Sequence, residues 1–375
     1  MRKNSVRIIT IIFLCFMPIW MLISKDVDFS DKENRYMAKF PSISFKSLSD
    51  GSFMEDFETY LTDQFPVRDA CITLKTNALR LLGQRRINGV YIGSKGYLIA
   101  EEEKFDSDKI DALMKAINSF AAESEANVKF MLVPNSSLIY EEKLPYGIDS
   151  SQDKTIEYVR EKLSSNVGFV DVRDALTAGK GRQLYYKTDH HWTTAGAQIA
   201  FAEYAKAAGL DVSGIQYDNY CVSGDFCGTQ ASNCGVYSSR DVVNICVPKD
   251  SAGSYIVNYV DETRKTATLF DMSKLEEKDK YLVFMGGNYS RVDINTDAKN
   301  GRRLLVIKDS YANCFIPMLT PCYEEIIVVD PRYYYDDIYQ LMSDASVTDV
   351  LFLYNVNSFV TDNSLEEVLK KVLQS

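Results

Sequence analysis

The sequence predicts an α/β fold in which a parallel sheet is covered by helices on both faces. Two observations predict it. Over the last hundred residues, short apolar runs alternate with stretches of helical spacing. The runs themselves (Leu304–Ile307, Ile326–Val329, Val350–Tyr354) are apolar throughout rather than at alternate positions, as in strands buried on both faces. The 375 residues, 46% hydrophobic and 25% charged, suffice for such a core. One domain with insertions accounts for this length as well as two or three domains would.

At the N-terminus, Ile8 to Ser24 is a run of 17 residues without a charge, the short end of what spans a bilayer as a helix. Arg2, Lys3 and Arg7 precede it; Lys25 follows with Asp26, Asp28 and Asp31. The positive-inside rule then puts residues 1–7 in the cytoplasm and everything after the segment outside the cell membrane. No small-residue cleavage pattern closes the run. Residues 8–24 therefore read as a single-pass signal-anchor, with a cleaved signal as the alternative. Residues 25–100 read as a stalk and an N-terminal elaboration, with helical spacing from Phe53 to Phe65 and a strand with turns over 88–93. Residues 101–375 form the main domain. In it, Asp108 to Ser124 predicts a helix, Asn127 to Val133 a buried strand, 153–163 a helix and Gly168 to Val172 a strand. Thr194 to Gly209 predicts a helix that Thr193 or Thr194 caps. Residues 211–280 read as an irregular or β-rich insertion. Strands are then predicted at Tyr281–Met285 and over the three apolar runs, with helical segments after Tyr311, around 336–343 and from Ser364 to Leu373.

Charge narrows the partners. Lys plus Arg is 42 against 52 for Asp plus Glu, a net charge of −10, so nucleic acid, which needs clustered positive charge, is excluded as an expected partner. The 24 Tyr and 19 Phe suit a core and can also stack on sugars. The eight cysteines include four within 221–246, compatible with local disulfides outside the cell or with free thiols. Their spacing lacks the close pairs of a zinc site, and no metal or cofactor is expected.

The chain holds only two histidines, His190 and His191. An extended chain from Asp189 to Trp192 puts Asp189 and His191 on one face and turns His190 away. An Asp beside a His holds one tautomer and favours the charged ring, so activity is expected to climb through about neutrality. Ser310, directly after the strand 304–307 and opening a helix, is in a nucleophile's position, where backbone N–H groups can hold an oxyanion. Asp309 or Ser310 as a plain helix cap is the competing reading. Tyr311, Asn288 after two glycines, and Arg332 after the strand 326–329 are further oxyanion or substrate candidates. Arg332 could bind a carboxylate. Trp192 suits stacking on a sugar, and Asn135 is a polar loop residue at the same end of the sheet.

The order of these motifs resembles a known family. Asp189-His190-His191-Trp192 is the signature of the DHHW family of bacterial exported proteins, which resemble the alginate O-acetylation proteins. Glu33-Asn34-Arg35, Asp63-Gln64-Phe65-Pro66-Val67-Arg68, Gly286-Gly287-Asn288, Lys308-Asp309-Ser310-Tyr311 and Asp330-Pro331-Arg332-Tyr333 extend the likeness over most of the chain. The resemblance implies a three-layer αβα fold like that of SGNH hydrolases, with Asp189, His191 and Ser310 as the triad. It implies an extracytoplasmic O-acyltransferase, an acetyltransferase in the better-studied relatives, that modifies a cell-surface or secreted polysaccharide through an acyl-serine. It also implies a multispanning membrane acyltransferase as the partner that delivers the acyl donor. An esterase or deacetylase with the same triad, or a non-catalytic polysaccharide-binding protein, are the alternatives. Two features depart from typical SGNH hydrolases: the serine follows the Asp and His in the chain, and Lys308 stands where they carry Gly.

Overall fold

The computed structural model describes residues 35–249 and 255–370, together with 7, 11, 15–21, 23–30, 32 and 33. Its centre is an eight-stranded sheet built from β1 (Asn127–Val133), β2 (Val167–Phe169), β3 (Ile256–Tyr259), β4 (Arg264–Thr266), β5 (Arg291–Asn295), β6 (Arg303–Lys308), β7 (Glu325–Val329) and β8 (Asp349–Asn355). The spatial order is β4-β3-β5-β7-β6-β8-β1-β2. From β7 to β2 the strands run parallel.

The sheet is apolar on both sides because successive side chains point to opposite faces. Leu304 and Val306 of β6 join one core cluster with Leu351 and Leu353 of β8 and Met131 and Val133 of β1. Leu305, Ile307, Val350, Phe352, Phe130 and Leu132 join the other. Helices α1 (Ser52–Asp63) and α2 (Arg68–Leu81) precede the sheet; α3 (Ser107–Glu123), α4 (Gln152–Lys162), α5 (Thr194–Ala207) and α6 (Ile338–Asp344) cover it. Helix α3 puts Ile110, Leu113, Ile117 and Phe120 into the second cluster, and Asp106 caps its first turn. Ala197, Ala200, Phe201 and Tyr204 of α5 pack into the first cluster. The helix is capped by Thr193, whose side chain accepts from the Gly196 amide.

Four expectations are corrected. The sheet is mixed rather than wholly parallel, because β3, β4 and β5 add antiparallel along one edge. The β3–β4 hairpin of the expected insertion thus belongs to the main sheet, and Gln216–Phe226 pairs with Asp241–Lys249 in a separate ribbon. The strand predicted at Tyr281–Met285 is a 3-10 turn at Lys280–Val283. Asp279 accepts from the Tyr281 amide, and Met285, Gly286 and Gly287 all have positive φ, so the chain coils instead of extending. The segment after Ser310 is two 3-10 turns, Ser310–Cys314 and Ile316–Leu319, not an α-helix; Pro317 lacks the N–H that a longer helix would need. At the C-terminus, the helix expected to reach Leu373 covers only Leu365–Val368, and 371–375 lie outside the described residues.

All eight cysteines are free thiols, so the possible disulfides within 221–246 are not present. Cys221 is exposed, whereas Cys227, Cys234 and Cys246 are buried. Among the described residues no helix is long and apolar enough to cross a membrane. Residues 8–10, 12–14 and 22 of the expected anchor lie outside them, while Cys15–Met21 is helical. The charged motif residues that follow form a clamp. Arg35 Nη1 and Nη2 donate to Asp63 at 2.8 and 2.5 Å, and Arg68 Nε donates to Glu33 at 2.7 Å. Gln64 bonds the backbone of Val27 and Ala38.

Candidate active site

Ser310 stands at the carboxyl end of β6, where ligands of open α/β sheets bind. The Asp309 amide still bonds the Leu353 carbonyl at 3.1 Å, so the ladder holds the chain up to the residue before the serine. The buried Asp309 carboxylate then accepts from the Tyr311 amide at 2.8 Å and from the Asn355 amide and side chain at 2.8 and 2.6 Å. Burial pushes Asp309 up to about 6 against those donors. Ser310 itself is half-buried.

Asp189 and His191 arrive on a hairpin-like loop between Leu184 and Thr193. It is closed by the Tyr185–Trp192 bridge and by the Thr193 amide on the Leu184 carbonyl at 2.8 Å. Buried Asp241 accepts from the Lys187 and Thr188 amides at 2.9 and 2.8 Å and from the Thr188 hydroxyl at 2.7 Å. The tip is bent, not extended as expected. Asp189 Oδ1 accepts from the His191 amide at 3.0 Å, a local Asx turn. Asp189 and His191 therefore meet through that turn and not through strand alternation. Nor does His190 turn away: its Nδ1 lies 3.6 Å from Asp189, and its ring centroid 3.9 Å from that of His191.

The structure brings the three expected residues together. His191 Nδ1 is 2.6 Å from Asp189 Oδ1, and His191 Nε2 is 2.8 Å from Ser310 Oγ. A carboxylate only accepts, so Nδ1 carries the proton and Nε2 is left to accept from the serine hydroxyl. The Thr229 amide donates to the second Asp189 oxygen at 2.8 Å. Hydrogen bonding of this kind is what makes a buried carboxylate tolerable. Burial opposes ionisation of Asp189, but His190, His191 and the Thr229 amide outweigh it and hold the group far below the carboxylate range.

His191 titrates differently from expectation. Burial lowers its value and neighbouring His190 lowers it further, against the pull of Asp189, to about 4. The expected rise through neutrality is thereby overturned, since desolvation disfavours the cation more than one carboxylate favours it.

The remaining candidates are placed less simply. Trp192 is fully buried and donates from Nε1 to the Tyr311 carbonyl at 2.8 Å, so it cannot stack on a sugar. Tyr311 is equally buried. Its amide is taken by Asp309, and its hydroxyl donates to the His190 carbonyl at 2.5 Å. It supports the histidine loop and is not free as an oxyanion donor. Arg332 Nε and Nη2 donate to Asp330 at 2.8 and 2.6 Å, so its guanidinium is committed to a buried carboxylate rather than offered to a substrate. Asn135 lies inside the sheet end, bonding Gln152, Asn355 and Tyr311. Asn288 is half-buried. Its Oδ1 accepts from Lys308 Nζ at 2.7 Å and from Asn313 at 3.1 Å, which leaves its amide hydrogens as its donors.

Two features escaped sequence reasoning. The Tyr281 ring stacks on His191 with centroids 3.7 Å apart and planes 11° from parallel, and its hydroxyl donates to the Ser310 carbonyl at 3.0 Å. Gly228 packs so tightly on Asp189 that a Cβ there would lie 2.3 Å from the Asp189 Cβ. Neither has a local sequence signal, since Gly228 and Tyr281 are far along the chain. Asp189, His190 and His191 also place potential metal-ligand atoms within 4.8 Å of one another, but both His191 nitrogens are already engaged by Asp189 and Ser310.

Comparisons with known proteins agree with this fold. A DHHW family protein of Eubacterium siraeum has a solved structure that is 27% identical, with a TM-score of 0.64 over 77% of this chain and 98% of that one. Bacillus cereus PatB1, solved with a sulfonyl adduct, is 20% identical with a TM-score of 0.63, covering 74% of this chain and 97% of its own. A probable alginate O-acetylase AlgJ of Pseudomonas syringae pv. tomato is 23% identical over 181 residues, 44% of this chain and 45% of that protein. The chain thus spans less than half the length of the curated relatives it matches. The sequence model described as DHHW protein matches residues 104–329, more than half of the chain, from α3 through the histidine loop and Ser310 to the end of β7, and the chain belongs to the DHHW family.

Proposed function

We propose that this chain is an O-acyltransferase that moves an acetyl group onto a hydroxyl of a cell-surface or secreted polysaccharide. One observation carries the reading: His191 bridges Asp189 and Ser310 at 2.6 and 2.8 Å, the geometry that activates a serine hydroxyl. Ser310 Oγ attacks the acyl carbon of the donor as its proton passes to His191 Nε2. The C–O bond of the tetrahedral adduct then breaks, and the leaving group departs with that proton. An acceptor hydroxyl gives its proton to His191 and attacks the acyl-serine, forming the new ester and restoring Ser310. Asp189 fixes the tautomer and stabilises the transient imidazolium. The Asn288 side-chain amide and the Ser310 amide are proposed to hold the oxyanion. The names of the relatives, O-acetylases at low identity, support the acyl chemistry.

The acceptor side of this reading is extracytoplasmic. Residues 8–24 are proposed as the membrane anchor, with residues 25–375 outside the cell and the acyl donor delivered by a multispanning membrane protein. The test is an assay with an activated acetyl ester and a panel of oligosaccharides. Acetylated oligosaccharide is the expected product, and Ser310→Ala should reduce it by about 10³-fold or more. Release of acetate alone across the whole panel would replace the transferase by an esterase.

A further inference from the structure

Helix α2 turns one face to the domain and an apolar face to solvent. On the inner face, Leu79 packs on the cluster of Ile87, Val90 and Val236. Thr76 is buried, its hydroxyl donating to the Cys234 carbonyl at 3.0 Å. The outer face is a stripe of Cys71, Leu74, Ala78 and Leu81, spaced three, four and three residues apart, the spacing of one side of a helix. All four are exposed: Leu74 is 71% and Leu81 89% accessible, and Leu82 just beyond is 84%. Because the inner contacts fix the helix, the stripe cannot rotate into the core.

The stripe begins beside the uncharged N-terminal run. A groove of about 650 Å³ lies between Met17 and Met21 of the helical segment Cys15–Met21 and Leu61, Phe65, Cys71 and Ile72 of the domain. The run ends at Ser24, so at one helical rise per residue Met21 and Met17 stand about 5 and about 10 Å inside its end. That is the depth to which interfacial helices sink, about 5–10 Å. Trp20, between the two methionines, is of the type that settles at headgroup level. Charge points the same way. From Ala70 to Arg86 the chain carries Lys75, Arg80, Arg85 and Arg86 and no Asp or Glu, in a protein of net charge −10. A second copy docked through the same patch would set these cations against their own kind, whereas anionic headgroups complement them.

We propose that α2 lies in the headgroup layer of an anionic bilayer, with Cys71, Leu74, Ala78 and Leu81 toward the acyl chains and Lys75 reaching back to the phosphates. A lysine stem lies along apolar surface while its ammonium stays in the polar layer. The contact is joined to the catalytic machinery by packing. A Cβ at Gly235 would lie 2.9 Å from Thr76 Oγ1 and 3.1 Å from Ile72 Cγ2, so α2 is seated against the end of the short helix Thr229–Cys234. The Thr229 amide is the one that donates to Asp189. A bilayer-bound α2 therefore holds the catalytic domain in one orientation toward the membrane. This inference rests on the anchor reading of residues 8–24 and goes beyond it, since an anchor alone leaves the domain free to turn.

The test is lipid photolabelling of the full-length protein in vesicles of phosphatidylglycerol and phosphatidylcholine that carry a diazirine high on the acyl chain. Trypsin separates residues 69–75 and 81–85 from the N-terminal run. Lipid adducts are expected on both α2 peptides as well as within residues 8–24, and the α2 adducts should fall when phosphatidylcholine alone is used or salt is raised. Leu74→Glu with Leu81→Glu should reduce the α2 adducts about fivefold or more while those within 8–24 persist, and the melting temperature should hold because both side chains are exposed. Adducts confined to residues 8–24 of the wild type would overturn the proposal and leave the anchor in place. Adducts on α2 without any in 8–24 would remove the anchor and keep the α2 contact. Failure of the protein to associate with either vesicle would overturn both. An α2 shielded from lipid but crosslinked to α2 of a second copy would replace the bilayer by a dimer.

Discussion

His191 has one ring nitrogen on a carboxylate and the other on a hydroxyl, and its burial governs how it titrates. The neutral ring is the form that can take the Ser310 proton. With its value held near 4, the ring is neutral throughout the physiological range. Acylation should therefore be flat from about pH 6 to 8 and fall on a single ionisation with its midpoint well below the ordinary ~6.5 of histidine. A midpoint at or above ~6.5 in a pH–rate profile would contradict this. The same shift makes folding stability fall between about 6.5 and 4, where the unfolded chain binds a proton that the native one does not. His190→Ala removes a neighbour that lowers His191, so its acid limb should move to higher pH while activity persists; His191→Ala should abolish activity. Gly228→Ala should cost about 1–3 kcal/mol through overpacking and reduce turnover by displacing Asp189, measurable as a melting shift together with a lower kcat. At this scale the site was partly legible. Asp189, His191 and Ser310 were visible because the histidines are concentrated at one point and a serine follows a buried strand. The roles of Trp192, Tyr311 and Arg332 were not, because burial and partner choice depend on residues more than a hundred positions away or, for Arg332, on an adjacent carboxylate that reads equally well as a turn.

The elements that position these residues are held by buried polar groups. Lys308 Nζ donates to Asn288, Asn313 and Asp330 at 2.7, 2.9 and 3.3 Å, linking β6, the turn after Ser310 and the end of β7. Lys308→Met should cost about 1–3 kcal/mol, since it leaves the buried Asn313 oxygen without its donor, while Asp330 keeps Arg332 and the Asn288 oxygen keeps Asn313. In a double-mutant cycle its loss of kcat should shrink in an Asn288→Ala background if the lysine acts through that amide. Asp241→Ala would leave the Thr188 amide and hydroxyl unpaired at about 1–3 kcal/mol each, and should lower kcat by loosening the loop behind Asp189. Among the strands, β1, β6, β7 and β8 were readable because their successive apolar residues all enter one core cluster or the other. Strand β5 carries a plain alternation, Arg291-Val292-Asp293-Ile294-Asn295, a signal available in the sequence but hidden by its short length and charge. Tyr281–Met285 shows the opposite failure. An apolar run this short does not distinguish a strand from a turn, and the Asp279 cap and the positive φ values decide it.

For the whole molecule, the two core clusters and the sheet between them set the position of the site, and the N-terminal clamp sets where the chain enters. Arg35, Glu33, Asp63 and Arg68 join the segment after the apolar run to α1 and α2. If residues 8–24 anchor the chain with the remainder outside, protease added to intact cells should digest the large domain; protection until lysis would contradict that topology. The N-terminal motifs were visible as charged clusters, but their pairing is a three-dimensional fact that spacing alone does not reveal. The central claim concerns one covalent bond. Wild-type protein incubated with an activated acetyl ester and no acceptor, followed by intact-mass measurement and peptide mapping, should gain one acetyl group on Ser310, and the gain should vanish in Ser310→Ala and in His191→Ala. An acetyl group that maps to another residue, or that forms at full rate in Ser310→Ala, would contradict the account.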